Sequence, residues 1–87
     1  MGTIVPGTIV PYPATMGRMD LKDLMAVNLR RTRQQKGLSQ EELADSAGLS
    51  VRYVGSIERA RVSASVTVLG KIADALQIEA SVLITKR

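Results

Sequence analysis

The side chains whose spacing most clearly suggests a function are seven basic residues that form two clusters. The first group lies within seven residues that include no acid and comprises Arg30, Arg31, Arg33 and Lys36. The second group comprises Arg52, Arg59 and Arg61. Basic clusters of this kind suit a polyanionic partner such as nucleic acid. Solvated helix faces would carry the same pattern, so charge alone leaves both interpretations open.

Composition narrows the chemistry further. The 87 residues form one domain with a modest core and contain neither cysteine nor histidine, which removes disulfides and the usual zinc ligands. Glu41, Glu42 and Asp45 lie on one turn of a short predicted helix, but no nucleophile, histidine or phosphate-binding loop accompanies them. We therefore expect no enzymatic activity, no cofactor and no metal centre.

Two serines mark the starts of consecutive short helices. Ser39 is followed three residues later by Glu42, the spacing of a capping box in which each side chain bonds the other residue's backbone N–H. Ser50 precedes a second helix, and Gly48 can end the first because glycine enters the left-handed conformation without a Cβ penalty. Helix, glycine turn and helix in so short a stretch is the helix-turn-helix layout.

Apolar spacing and stop signals predict five helices, at about 20–36, 40–47, 51–59, 66–76 and 80–84. The apolar face of the first is predicted to hold Leu21, Leu24, Met25 and Leu29. That of the fourth is predicted to hold Val66, Leu69, Ile72, Ala73 and Leu76. The core must be aliphatic because the only aromatic residues are two tyrosines. The predicted fold is all-α, a compact five-helix domain over residues 20–87 behind an extended apolar tail, residues 1–19.

Several motifs spread over residues 29–84 keep a familiar spacing. They are Leu29, Arg33, the run Gly37-Leu38-Ser39-Gln40-Glu41-Glu42-Leu43-Ala44, Gly48-Leu49-Ser50, Ile57-Glu58-Arg59 and Lys71-Ile72-Ala73-Asp74-Ala75-Leu76. On these motifs the chain resembles the phage-repressor and Cro-like helix-turn-helix family, also called the xenobiotic-response-element family. Within that family it is similar to the controller proteins of restriction–modification systems. The resemblance implies a lambda-repressor-like fold that binds double-stranded DNA, and it does not indicate the target sequence.

The resemblance also implies that the helix beginning at Val51 is a recognition helix. By match to the family pattern, the base-contacting positions in the major groove are Val51, Arg52 and Ser56. Arg52 is the main candidate because a guanidinium can pair with both O6 and N7 of guanine. The alternative for Arg52 is a phosphate contact or a solvated side chain, and the alternative for Val51 is simple exposed apolar surface. Gly55 has no side chain, which would let the helix approach DNA closely.

The same match assigns contacts with the DNA backbone to Ser39, Gln40, Ser50, Tyr53, Arg59 and Arg61. Gln40 opens the second predicted helix, where free N–H groups and the positive end of the helix dipole favour a phosphate. Such contacts set the register of the protein on DNA without reading its sequence.

Two further matches concern structure. Arg33 and Glu58 correspond to a partly buried ion pair of the family, so we expect a structural role for them and no DNA contact. Ala60 and Gln77 stand where the family often has glycine, or at 77 also asparagine. A left-handed alanine is strained by roughly 1–2 kcal/mol, so the turn at Ala60, and with it the placement of Arg61, stays open.

Residues 1–17 carry no charged side chain and contain the direct repeat Gly-Thr-Ile-Val-Pro at 2–6 and 7–11. The β-branched residues favour an extended chain, while the prolines exclude helix and interrupt any strand ladder. One interpretation is a disordered leader from an upstream start, because Met16 and Met19 could also initiate. Another is an apolar arm packed as an edge strand on the domain or a partner subunit. A DNA-wrapping arm fits least, since no basic residue precedes Arg18.

One recognition helix covers few base pairs, and the family binds paired half-sites as two-fold dimers. We therefore expect a homodimer through the end of the fourth helix and the fifth helix, with an interface at Val68, Val82 and Ile84. The alternative is that these apolar residues complete the core of a small monomer.

The leading hypothesis is a sequence-specific transcriptional regulator, repressor or activator, on an inverted-repeat operator. RNA polymerase or a regulatory protein is left open as a further partner. The alternative hypothesis is an antitoxin or anti-activator that retains the fold but caps a partner protein. With no run long enough to span a bilayer and no signal peptide, we expect a cytoplasmic, nucleoid-associated prokaryotic protein of bacterial, phage or mobile-element origin.

Overall fold

The structure, a computed structural model, describes residues 20–86. It contains four α-helices, α1 (Leu21–Gln35), α2 (Gln40–Ala47), α3 (Val51–Glu58) and α4 (Val66–Leu76), followed by a 3-10 helix (Ala80–Ile84). The described residues include no strand, and the predicted all-α class is confirmed. The tail of residues 1–19, and with it every interpretation of that tail, lies outside the described residues.

The fifth predicted helix lies at the predicted bounds, but it is a 3-10 helix, so the described residues contain four α-helices and the five-helix count is off by one. Helices of the 3-10 type are characteristically short, and this one is closed by another part of the chain. The Nδ2 group of the buried Asn28 on α1 donates to the carbonyl of Leu83 at 3.1 Å and to that of Thr85 at 2.9 Å. Because Asn28 on α1 donates hydrogen bonds to these carbonyls, they need no N–H donor from a further helical turn.

Serine caps begin three of the helices. The Oγ atoms of Ser39, Ser50 and Ser65 accept the backbone N–H three residues ahead at 3.0, 3.0 and 3.1 Å. Each cap satisfies one of the N–H groups that a helix start leaves without a partner, which is worth about 1 kcal/mol. The caps therefore set where α2, α3 and α4 begin.

The core is aliphatic and draws on every helix. Its buried members are Met25, Leu29, Leu43, Ala44, Val54, Ile57, Ile72, Ala73, Leu76 and Leu83. Through these residues α1 packs on α3 and the 3-10 helix, and α2 packs on α3 and α4. Burying one large aliphatic side chain contributes about 1.5–3 kcal/mol. The α2–α3 pair is thus supported by α1, which packs on α3, and by α4, which packs on α2.

Two residues predicted on apolar faces lie on the surface instead. Leu21 is 64% exposed and Val66 is 85% exposed. Each is the first residue of its helix, so it extends beyond the elements that cover the following turns. None of the helices within residues 20–86 is long and apolar enough to cross a membrane.

Candidate nucleic-acid interface

The turn between α2 and α3 is built from local backbone hydrogen bonds. At the start of α2 the Ser39 hydroxyl accepts the Glu42 N–H, and the Glu42 carboxylate accepts the Ser39 N–H at 2.8 Å. At its end Gly48 adopts φ 72° and ψ 33°, and the Leu49 N–H donates to the Ala44 carbonyl at 2.8 Å. This is a Schellman ending, which requires a left-handed residue. The direction in which α3 leaves the turn follows from it.

The first turn of α3 faces solvent while the rest of the helix packs inward. Val51 is 43% exposed, and Arg52 beside it is also exposed. Tyr53 and Ser56 are half-buried. Among residues 20–86 the Arg52 guanidinium has no hydrogen-bond partner. An arginine on the exposed leading turn of a helix can reach a base edge or a phosphate.

Gly55 is not exposed to solvent on α3, because the Arg59 side chain covers it. A Cβ atom at Gly55 would meet Nη1 of Arg59 at 3.1 Å, and Gly55 itself is buried. In the structure without DNA, the guanidinium of Arg59, one helical turn further on, thus occupies the space that the missing Gly55 side chain leaves.

The end of α3 is tied to α1 by an ion pair. Arg33 Nε donates to Glu58 Oε2 at 2.6 Å, and Arg33 Nη2 donates to Glu58 Oε1 at 3.1 Å. The two side chains are 11% and 2% exposed. Arg33 Nη1 also donates to the Leu38 carbonyl at 2.8 Å. A two-pronged pair of this kind is geometrically restrictive, so it fixes the angle between α1 and α3.

Gln40 is drawn into the same network. Its Nε2 group donates to Glu58 Oε1 at 2.9 Å. The amide nitrogen must face this carboxylate, because an ionised carboxylate can only accept hydrogen bonds. The start of α2 is thereby joined to the end of α3, and the amide oxygen of Gln40 is left to meet a donor elsewhere. The exposed Ser39 and the exposed Ser50 accept capping bonds and keep a hydroxyl proton to donate.

The fold brings a third arginine to the end of α3 that was not singled out as a site residue. Arg30 Nη1 lies 3.4 Å from the Glu58 carbonyl, and Arg30 lines a shallow depression with Arg59 and Arg61. Two acidic residues, Asp23 and Glu58, also line it. The feature of the sequence that could have indicated Arg30 is the basic cluster at 30–36, which contains no acidic residue. Which of its members faces α3 depends on how α1 packs.

The turn after α3 is left-handed even though it contains alanine. Ala60 has φ 59°, and the Arg61 N–H donates to the Ser56 carbonyl at 2.9 Å. Gln77 after α4 also has φ 59°. A non-glycine residue in this region costs roughly 1–2 kcal/mol. The exposed Arg61 is thus placed by a strained turn directly after Arg59.

The residues expected at a subunit interface are partly exposed. Val68 and Val82 are half-buried, and Ile84 is 39% exposed. All three lie on α4 or the 3-10 helix. Each keeps apolar surface that the described residues do not cover.

Comparison with known proteins places this arrangement among DNA-binding regulators. The family described as helix-turn-helix, HTH_3, matches residues 29–83. An uncharacterized HTH-type transcriptional regulator of Sinorhizobium fredii, y4dJ, is 39% identical over 67 residues, which cover 77% of this chain and 87% of that protein. The control protein C.SmaI of Serratia marcescens is 38% identical over 69 residues, covering 79% of this chain and 82% of that protein.

Solved structures of similar proteins have the same fold as this chain. The restriction–modification controller protein C.AhdI of Aeromonas hydrophila superposes with a TM-score of 0.70 at 42% identity, covering 71% of this chain and 94% of that chain. The hypothetical transcription factor NHTF from Neisseria superposes with a TM-score of 0.74 at 39% identity, covering 84% of this chain and 85% of that chain.

Proposed function

The chain belongs to the helix-turn-helix family of DNA-binding transcription regulators, and we propose that it reads a specific operator by inserting α3 into the major groove. The relatives compared above are regulators and controllers of transcription, which are not enzymes. Two of them are named as control or controller proteins. For this chain we propose control of transcription without assigning the genes it controls.

The observation that supports the proposal best is the exposed first turn of a helix held firmly at both ends. Ser50 caps its start, and the ion pair of Glu58 with Arg33 anchors its last residue. Between these anchors Val54 and Ile57 are buried, so the helix cannot rotate about its axis without losing core contacts. A rigid helix with a free leading turn is what base readout requires.

Within this proposal Arg52 makes the main base contact, and Val51 and Ser56 contact neighbouring bases. A guanidinium that forms two bonds to guanine contributes about 1–3 kcal/mol of discrimination against a wrong base. Val51 offers an apolar surface of the kind that packs on a thymine methyl. Ser56 is half-buried and reaches only a base lying close to the helix.

The backbone contacts are proposed at both ends of the two helices. The residues concerned are Ser39, Gln40, Ser50, Tyr53, Arg59 and Arg61. Gln40 would use the free N–H groups at the start of α2 or the second N–H of its amide, because one N–H of Nε2 already donates to Glu58 and phosphate oxygens only accept hydrogen bonds. We add Arg30 to this set, since it shares the depression at the end of α3 with Arg59 and Arg61.

We further propose that the protein binds as a homodimer on an inverted repeat. The partly exposed Val68, Val82 and Ile84 supply a surface on α4 and the 3-10 helix that a second copy can cover. Two-fold symmetry would then present α3 twice, one helical turn or a multiple of it apart. The bound dimer would act in the cytoplasm at the nucleoid, where it blocks or recruits RNA polymerase.

Selection of bound fragments from random DNA tests the proposal directly. We expect an inverted repeat with a fixed spacing between its halves. Affinity for that site should fall steeply with salt, because phosphate contacts release counterions. Transcription from a template carrying the site then distinguishes repression from activation. Tight co-purification with a protein and no salt-sensitive DNA binding would instead support the antitoxin or anti-activator alternative.

A further inference from the structure

An apolar groove lies on the side of the domain where the described chain begins. It has a volume of about 240 Å³ and is lined by Leu21, Met25, Ala64, Val66, Leu69 and Ile84. Lys22 and Ser63 complete its rim. An enclosed apolar cavity of about 150 Å³ accepts a benzene-sized molecule, so this groove has room for branched aliphatic side chains.

The residues around this groove are unusually apolar for a surface. Leu21 is 64% exposed, Val66 is 85% exposed and Ile84 is 39% exposed. They cluster on one side because the starts of α1 and α4 lie together beside the end of the 3-10 helix. Contiguous exposed apolar surface on a small domain usually marks a contact that is missing from the isolated fold.

We propose that the groove is the docking site of this chain's own N-terminal segment, residues 3–10. The described chain begins at Asp20, directly before Leu21 on the wall of the groove, so the segment is tethered at its binding site. Residues 1–17 carry no charge, and the repeat supplies Ile4, Val5, Ile9 and Val10. Burying such side chains in an apolar groove desolvates no charged group.

The geometry of the tether favours the same chain over a second copy. Residues 11–19 separate the docking segment, residues 3–10, from Asp20, and nine extended residues span at most about 30 Å. This length is enough for the segment to reach the groove, because Leu21, the residue after Asp20, is part of the groove wall. A short tether gives an effective local concentration in the millimolar range, which a free second molecule at micromolar concentration does not match. The segment of a partner subunit is also held nearby, and the spin-label experiment distinguishes it.

Docking would occur by side-chain insertion, because the domain offers no strand for the segment to pair with among residues 20–86. The groove meets the proposed dimer surface at Ile84 alone. Val66 belongs only to the groove and Val82 only to the dimer surface, so the two contacts can be separated by mutation. The proposal does not depend on DNA binding.

The test uses amide order parameters of the full-length protein. Docked residues 3–10 should show values near 0.8, whereas an undocked segment falls below about 0.6. Val66→Asp should lower these values to the undocked range. This substitution places a carboxylate in the first turn of α4, where the helix dipole favours it, so the fold should persist.

Thr67→Asp is the matched control, because Thr67 is exposed in the same turn and does not line the groove. It should leave the order parameters unchanged. If Val66→Asp unfolds the domain, the double substitution Ile4→Asp and Ile9→Asp tests the other side of the contact and should produce the same loss of order. Low order parameters in the unmodified protein, or no response to either variant, would overturn the proposal.

A spin label separates docking within one chain from exchange between two copies. The sequence contains no cysteine, so Thr8→Cys gives a single labelling site. We expect broadening of the Leu69 and Ile84 methyl signals that Val66→Asp abolishes and Thr67→Asp preserves. The mixing experiment uses isotope-labelled chains and separate spin-labelled chains that both carry Val82→Ser, so that mixed dimers do not place a label beside the partner. Broadening of these signals in that mixture would contradict docking within one chain.

Discussion

Arg33 on α1 and Glu58 at the end of α3 share two hydrogen bonds across twenty-five residues of sequence, at 2.6 and 3.1 Å. Glu58 Oε1 also accepts from Gln40 on α2. Three helices therefore meet at one nearly buried carboxylate. The orientation of α3, and hence of the side chains proposed to read DNA, depends on this contact.

Replacing Glu58 with alanine should destabilise the fold by about 3–5 kcal/mol, because the largely buried Arg33 loses its partner. Urea denaturation measures the loss. Glu41→Ala, at an exposed position in the first turn of α2, is the control and should cost at most about 1 kcal/mol. The double variant Arg33→Met with Glu58→Leu should recover most of the stability, since apolar pairs often replace buried ion pairs without loss. Equal destabilisation by all three variants would contradict this role.

Arg52→Ala should weaken operator binding by about 1–3 kcal/mol and relax preference at one base pair in each half-site. Fluorescence titration against the selected site and its single-base variants provides the measurement. Arg52→Lys keeps the charge but lacks the two-pronged donor geometry, so it should retain the salt dependence and lose the discrimination. Arg31→Ala removes the same charge from an exposed position on α1 and serves as the control. A uniform loss of affinity for every sequence would identify Arg52 as a phosphate contact.

Gly70→Ala should stabilise the protein by about 1 kcal/mol, because Gly70 lies inside α4 and its added Cβ meets nothing within 4 Å. Gly55→Ala should give a similar or slightly smaller gain, since only the flexible end of Arg59 must move. Its DNA affinity should nevertheless fall, because the moved guanidinium is a proposed phosphate contact. Thermal unfolding and DNA titration of both variants test the contrast. Unchanged DNA affinity for Gly55→Ala would show that Arg59 does not contact the DNA backbone.

Ala60→Gly and Gln77→Gly should each stabilise the protein by up to about 1 kcal/mol. Relief of a strained left-handed residue is worth roughly 1–2 kcal/mol, and the greater freedom of glycine in the unfolded chain offsets about 0.4–1 kcal/mol of it. A gain of about 1 kcal/mol corresponds to a rise of roughly 4–8 °C in the melting temperature of a domain of this size. Gly48→Ala, at φ 72°, should lower it. A fall in melting temperature for both glycine variants would show that the strain is negligible.

Val82→Ser should shift the protein from dimer toward monomer without unfolding it, because Val82 is only half-buried in the single chain. Sedimentation over a range of concentrations measures the shift. Val62→Ser removes a similar apolar side chain, 37% exposed, from outside the proposed interface and should leave the association unchanged. Equal effects of the two substitutions would argue against an interface at the 3-10 helix.

The elements of this fold were predictable because their boundaries depend on nearby residues. The predicted bounds of α2 and α4 match the structure, those of α1 differ by one residue at each end, and those of α3 differ by one residue at the C-terminal end. Serine caps and left-handed stops act over three to five residues, so they can be read in order along the chain. The last helix has the predicted bounds, but its 3-10 type was not predictable from nearby residues because Asn28, far away in sequence, closes it.

The sequence by itself determined that this is a helical protein with a helix-turn-helix, an aliphatic core and arginines suited to a polyanion. Only the tertiary structure decided where individual side chains went. It turned Arg33 inward to Glu58, placed Arg30 in the same depression as Arg59, bonded the Gln40 amide to Glu58 and left Val66 outside the core. The physical reason is that helix caps are contacts between near neighbours, whereas the partner of a charge or an apolar side chain depends on which helices pack together.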